Sequence, residues 1–186
     1  MRAFIAIQVP DFIRDLGLWV REKMDELSPD VKWVEYENYH ITLKFLGEIK
    51  NEEYKKIENR LKLVRECCPP FNLQVKGIGF FPNRRRPRVI WLGIFGEIQK
   101  AIFLGDRVDA YLSTLGFEPE KEHRFHFTLG RIRSEKNLSE LISRASRLDP
   151  EVHSELFPIE HFSLMESRLT SDGPRYNICK TFDLKG

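Results

Sequence analysis

His40-Ile41-Thr42-Leu43-Lys44-Phe45-Leu46-Gly47 opens with a strict polar–apolar alternation, which returns almost half a chain later in His126-Phe127-Thr128-Leu129-Gly130-Arg131. A strand sends successive side chains to opposite faces. His40 and Thr42 therefore share one face while Ile41 and Leu43 pack into a core, and His126 and Thr128 stand likewise over Phe127 and Leu129. On each polar face the two residues lie about 7 Å apart, room for one tetrahedral anion against both. The separation of the copies predicts two halves of similar architecture, each giving one His-Thr pair to a shared groove.

Outward from these strands, the chain reads as a mixture of strands and amphipathic helices. Arg2 to Val9 reads as a first strand, and Asp11 to Leu27 as a helix with Asp11 as its N-cap. Val31 to Tyr36 is a strand separated from His40 by the polar turn Glu37-Asn38. Tyr54, Ile57, Leu61 and Val64 mark a second helix that Pro69-Pro70 stops. Strands follow at Phe71 to Phe80 and Arg88 to Phe95, flanking the loop Pro82 to Pro87, with a third helix from Gln99 to Leu115. After the strand Arg124 to Arg131 come a helix at Leu138 to Ala145 and two final strands, Phe157 to Leu169 and Arg175 to Leu184. The turn Ser171-Asp172-Gly173-Pro174 joins them. This order lacks the βαβ alternation of a doubly wound sheet and predicts an α+β fold.

The chain has 186 residues, 41% hydrophobic and 31% charged, a soluble globular balance. Its 30 Lys+Arg against 28 Asp+Glu leave a net charge of +2, so any surface for a polyanion must be local. No apolar run reaches the roughly 18 residues of a bilayer span, which excludes a transmembrane helix. Cys67 and Cys68 are adjacent and Cys179 stands alone, so no disulfide framework or CxxC pair can be written. A reducing, cytoplasmic location is the expectation.

Two imidazoles facing one phosphorus centre make an acid–base pair. With an ordinary pKa near 6.5, one ring can take a proton from water while the other gives one to a leaving oxygen, and no metal or other cofactor is required. The threonine hydroxyls can donate to the non-bridging oxygens where charge builds. His123, His153 and His161 have no such pattern and are assigned structural roles. Arg84, Arg85, Arg86 and Arg88 form the densest basic cluster, either a solvated loop or a contact for RNA phosphates. Trp33, Tyr39, Phe45 and Trp91 are candidates for base stacking, with core packing favoured for Phe45 and Trp91. A non-catalytic RNA-end-binding module and a metal-dependent hydrolase are the competing readings, the latter without an HExxH or clustered carboxylates.

The ordered set of motifs resembles the 2H phosphoesterase superfamily, in its RNA 2′,3′-cyclic phosphodiesterase branch, also called 2′-5′ RNA ligase. The resemblance runs from Arg2-Ala3-Phe4-Ile5-Ala6-Ile7 through both His-x-Thr strands and Arg86 to Gly93 to the closing Gly173-Pro174-Arg175-Tyr176. It implies one domain over residues 1–186, made of two interwoven, pseudo-twofold lobes that each hold an antiparallel sheet and helices, with the active groove between them. It further implies opening of an RNA terminal 2′,3′-cyclic phosphate to a 2′-phosphate, and ATP-independent 2′-5′ joining as the reverse reaction. The partners it implies are RNA ends such as tRNA fragments, with no membrane, and the chain is expected to be a monomer. By position, His40 and His126 become the acid and base, and Thr42, Thr128 and Arg131 the phosphate ligands. Alternation from His126 turns Arg131 to the opposite face, so its role requires a bulge or strand end near Gly130.

Overall fold

In chain order the computed structural model, which describes residues 1–186, contains β1 (Arg2–Gln8), α1 (Asp11–Asp25), β2 (Val31–Trp33), β3 (His40–Glu48), α2 (Asn51–Cys67), β4 (Phe71–Phe81), β5 (Val89–Gly96), α3 (Ile98–Ser113), β6 (His126–Ile132), α4 (Leu138–Leu148), β7 (Phe157–Ile159), β8 (His161–Thr170) and β9 (Gly173–Asp183). The fold is α+β, with four helices against a curled antiparallel sheet. Its strands run in the order β7-β4-β5-β6-β3-β1-β8-β9, and β2 pairs with β6 off this path.

The helices pack against one face. Ile5, Ile7, Ile41, Leu43, Phe127 and Leu129 turn toward them and join one contiguous core with Val20 and Met24 of α1, Leu61 of α2, Val108 of α3 and Leu141 of α4. α1 crosses to the second motif strand, where Gly17 lets the helix backbone close on the Phe127 ring. α3 crosses the other way and packs against β3. Each of these two helices thus packs against the motif strand from the other half of the sequence. No helix is long and apolar enough to cross a membrane.

Three local details differ from the sequence reading. Pro10 rather than Asp11 occupies the N-cap of α1, and its carbonyl accepts from the backbone N–H of Ile13 and Arg14. The segment before His40 is a short strand and a 3₁₀ turn, Tyr36–Asn38, rather than a strand through Tyr36. The stretch Phe157 to Leu169 is divided at Glu160, because β7 pairs with β4 at one end of the sheet while β8 pairs with β1 and β9 at the other.

Candidate active site

β3 and β6 meet through one residue pair, Ile41 with Phe127. Both side chains are fully buried toward the helices, so their polar neighbours turn to the open face of the sheet. His40, Thr42, His126, Thr128 and Arg131 all line one groove there, of about 440 Å³.

Each histidine is oriented by the carbonyl two residues upstream. His40 Nδ1–H donates to the Asn38 carbonyl at 2.7 Å, and His126 Nδ1–H to that of Arg124 at 3.0 Å. A carbonyl only accepts, so Nδ1 carries the hydrogen in both rings and Nε2 is left for chemistry. Nε2 of His40 lies 2.8 Å from Thr42 Oγ1; the hydroxyl donates when the ring is neutral and accepts when it is protonated. Burial lowers the pKa of both rings against the opposing pull of those carbonyls, with Arg14 lowering His40 further and Arg131 lowering His126.

Aromatic rings wall both histidines. Phe4 and Tyr176 stand 5.1 and 5.3 Å from His40, while Phe81 and Trp91 stand 4.9 and 6.0 Å from His126. Tyr176 reaches its place because Asn38 holds the start of β9. The Asn38 side chain donates to the Pro174 carbonyl at 2.8 Å and accepts from the Tyr176 N–H at 3.4 Å. In the sequence Asn38 reads only as a turn residue, since nothing local signals that a turn amide will be buried against a hairpin far along the chain.

The parity of Arg131 is resolved by an irregularity in β6. Trp91 pairs with Thr128 and Ile90 with Gly130, so Leu129 is an extra residue and the strand changes face after it. Gly130 belongs to this device, because a Cβ there would stand 2.7 Å from Val31 and 2.9 Å from Trp33 of β2. β3 repeats the irregularity at Leu43, between the pairs Ala6–Thr42 and Ile5–Lys44.

That second bulge moves two side chains, and one of them corrects the sequence reading. Lys44 leaves the groove-side row and reaches Asp109 of α3 and the Glu118 carbonyl, both at 2.6 Å in a buried setting. Asp109 also accepts from the Glu120 N–H and lies 2.9 Å from His123 Nε2, tying the segment before β6 to the core. Phe45, expected in the core, is instead 71% exposed. Trp33 and Tyr39 are buried and unavailable for stacking. Trp91 is half-buried across Gly79.

The arginine cluster stands outside the groove. Arg84 donates to Ser146 of α4 at 2.8 Å and lies over the Phe80 ring, while Arg85, Arg86 and Arg88 are exposed. The loop that carries them is bracketed by Phe81 and Val89, which do line the groove.

A family model described as LigT like phosphoesterase matches residues 7–91 and again 97–176, one His-x-Thr strand within each stretch. The chain is 37% identical to the RNA 2′,3′-cyclic phosphodiesterase of Archaeoglobus fulgidus over 98% of this chain and 100% of that one. It is likewise 37% identical to that of Methanocaldococcus jannaschii, over 97% and 99%. Among solved structures it resembles TT0787 of Thermus thermophilus, with a TM-score of 0.82 and 26% identity covering 100% and 99% of the two chains. Escherichia coli LigT complexed with 3′-AMP superposes with a TM-score of 0.77 at 26% identity, covering 100% and 98%. Matched along both halves and at full length, the chain belongs to the LigT-like phosphoesterase family.

Proposed function

We propose that the protein is an RNA 2′,3′-cyclic phosphodiesterase that opens a terminal 2′,3′-cyclic phosphate to a 2′-phosphate. The observation that carries this reading is the pairing of Ile41 with Phe127, which turns one His-Thr pair from each half into a single groove. The relatives that match over their full length bear this activity as their name.

In the proposed reaction the cyclic phosphate sits between the two Nε2 atoms. One imidazole takes a proton from water as its oxygen bonds to phosphorus; opposite it the bond to the 3′ oxygen breaks, and that oxygen receives the proton of the other imidazole. Thr42, Thr128 and Arg131 hold the non-bridging oxygens, where charge concentrates in the transition state. The proton balance closes without a metal. With a 5′-hydroxyl in place of water the same steps form a 2′-5′ bond: the 5′ oxygen gives up its proton and bonds to phosphorus as the 3′ oxygen leaves with a proton, which needs no ATP.

The two halves act as pseudo-twofold lobes of one domain spanning the chain. A cytoplasmic monomer is the form we propose, in keeping with its free cysteines. Arg85, Arg86 and Arg88, beside the groove mouth, serve RNA beyond its last nucleotide.

The test gives wild type, His40→Ala and His126→Ala an RNA oligonucleotide ending in 2′,3′-cyclic phosphate and identifies the product isomer, with and without EDTA. A 2′-phosphate that EDTA leaves intact and both substitutions abolish is expected; a 3′-phosphate means that a different oxygen leaves and overturns the mechanism.

A further inference from the structure

The carbonyls that orient the two motif histidines are held in different ways. Asn38, the partner of His40, ends a 3₁₀ turn whose backbone is bonded on its own account, from the Asn38 N–H to the Glu35 carbonyl and from the Tyr39 N–H to that of Tyr36. Arg124, the partner of His126, lies in a stretch that is neither helix nor strand. From Glu118 to Phe125 this stretch makes no hydrogen bond between backbone groups. It also lines the groove with Glu120, Glu122, His123, Arg124 and Phe125. Backbone without such partners stays in one place only where side chains hold it.

Here the side chains come from α3, from the stretch itself and from the other motif strand. The bulge at Leu43 turns Lys44 inward, and its ammonium donates to the Glu118 carbonyl and to Asp109 of α3, each at 2.6 Å. The second oxygen of Asp109 accepts from the Glu120 N–H at 3.0 Å and stands 2.9 Å from His123 Nε2. His123 lies against α3 because Gly105 has no side chain; a Cβ there would stand 2.8 Å from His123 Nδ1. The other side of the account is Phe125, whose ring stacks with His123 at 5.7 Å between centres. Three holds therefore fall at Glu118, Glu120 and His123, the last beside Arg124. Lys44, Asp109 and His123 are all nearly closed to water. Apolar residues often match the stability of a buried ion pair. They cannot grip a backbone carbonyl and an N–H.

We propose that Lys44, Asp109 and His123 are positioning residues for His126: they fix the stretch before β6 so that the Arg124 carbonyl meets Nδ1–H and leaves Nε2 to the groove. The inference rests on the reading of His126 as one half of the acid–base pair. Its consequence is a dependence between the motifs, for Lys44 belongs to the strand of His40 and Thr42 yet governs the histidine of the other strand.

The experiment reads the imidazole tautomers of the ¹⁵N-labelled protein by NMR at pH 8, where both rings are neutral because burial holds their pKa values below 6.5. It is paired with kcat on adenosine 2′,3′-cyclic phosphate. Wild type is expected to carry Nδ1–H in both rings. Lys44→Met/Asp109→Leu puts apolar side chains in place of the ion pair, so the fold survives while Glu118 and Glu120 are released. In this variant His126 alone takes up the Nε2–H form, and kcat falls by about 10- to 100-fold, as when an outer partner that orients an active group is lost. His40 is the internal reference, because its carbonyl is held elsewhere. A double variant in which His126 keeps its tautomer, in which both histidines change together, or in which kcat is intact overturns the proposal, as does wild type with Nε2–H on His126. Should the double variant not fold, His123→Phe, which leaves Lys44 and Asp109 paired, is judged by the same criteria. Should wild type leave the cyclic phosphate intact, the proposed function fails, and the tautomers alone decide the positioning.

Discussion

Ile41 of β3 and Phe127 of β6 pair across the middle of the sheet, and no other residue pair joins these strands. In an antiparallel ladder the strands run in opposite directions from such a pair, so His40 leads toward the Thr128 end of β6 and Thr42 toward the His126 end. Each half thus supplies one histidine and one threonine from opposite directions, an arrangement suited to in-line displacement, in which nucleophile and leaving group lie on opposite sides of phosphorus. Both residues of the pair are fully buried, so the core rather than the groove fixes how the histidines face one another.

Thr42→Ala and Thr128→Ala are each expected to lower kcat on a nucleoside 2′,3′-cyclic phosphate by about 10²-fold, the effect of removing one preorganised donor to developing charge. The Thr42 variant also frees Nε2 of His40 from its 2.8 Å partner. Equal kcat for wild type and both variants would remove the threonines from phosphate binding.

The pH dependence follows from the lowered pKa values of His40 and His126. For kcat/KM, which reports the free enzyme, a bell-shaped profile is expected with its maximum below pH 6.5, because the group acting as acid loses its proton before that point. Bound phosphate charge favours both imidazolium forms, so the kcat maximum lies at higher pH. Stability has the same origin and the opposite sense. An unfolded histidine protonates near 6.5 and the folded ones lower, so folding stability is complete above pH 6.5 and declines as pH falls through the folded values. Urea unfolding between pH 5 and 8 measures this decline, and it becomes shallower in His40→Asn.

Gly130→Ala and Gly47→Ala separate two ways in which a methyl group can harm a strand. At Gly130 the added carbon meets Val31 and Trp33, so a loss of about 1–3 kcal/mol is expected together with loosening of β2 from β6. At Gly47, where φ is +72° and nothing lies within 4 Å, only backbone strain of about 1–2 kcal/mol applies. Amide hydrogen exchange in β2 distinguishes them, rising in the first variant alone.

Replacing Arg85, Arg86 and Arg88 together with alanine is expected to weaken binding of an RNA oligonucleotide and to reduce the slope of log K against log salt by up to about 2, at roughly 0.7 per phosphate contact on a single strand. Arg84 is left in place because it anchors the loop to Ser146. Titrations between 50 and 200 mM salt read the slope, and an unchanged value removes the loop from RNA contact.

Much of the fold is legible in the sequence because period-2 and helical patterns are local. Ile41, Leu43, Phe127 and Leu129 declare a buried strand face, and the helices hold the apolar residues that their spacing announces. Arg131 raises a parity conflict that points to a bulge. The identical conflict at Phe45 is silent, because a phenylalanine in an apolar strand gives no reason to doubt that it is buried. The division of the chain at Glu160 is hidden for a different reason: β7 and β8 look continuous in sequence and part only because their partners, β4 and β1, lie at different places in the sheet. Asn38 belongs to the same class, since its bonds reach 136 and 138 positions along the chain.

Those bonds of Asn38 also bear on when the protein becomes competent. Both histidines and both threonines precede β9 in the chain, yet the carbonyl that orients His40 belongs to a residue whose side chain bonds to Pro174 and Tyr176. Until the last hairpin docks on β1, the nascent chain has a pair of motif strands with one wall missing. Because β9 is made after both motif strands, a chain that stops short of it lacks the Tyr176 wall and does not offer an RNA end the finished groove.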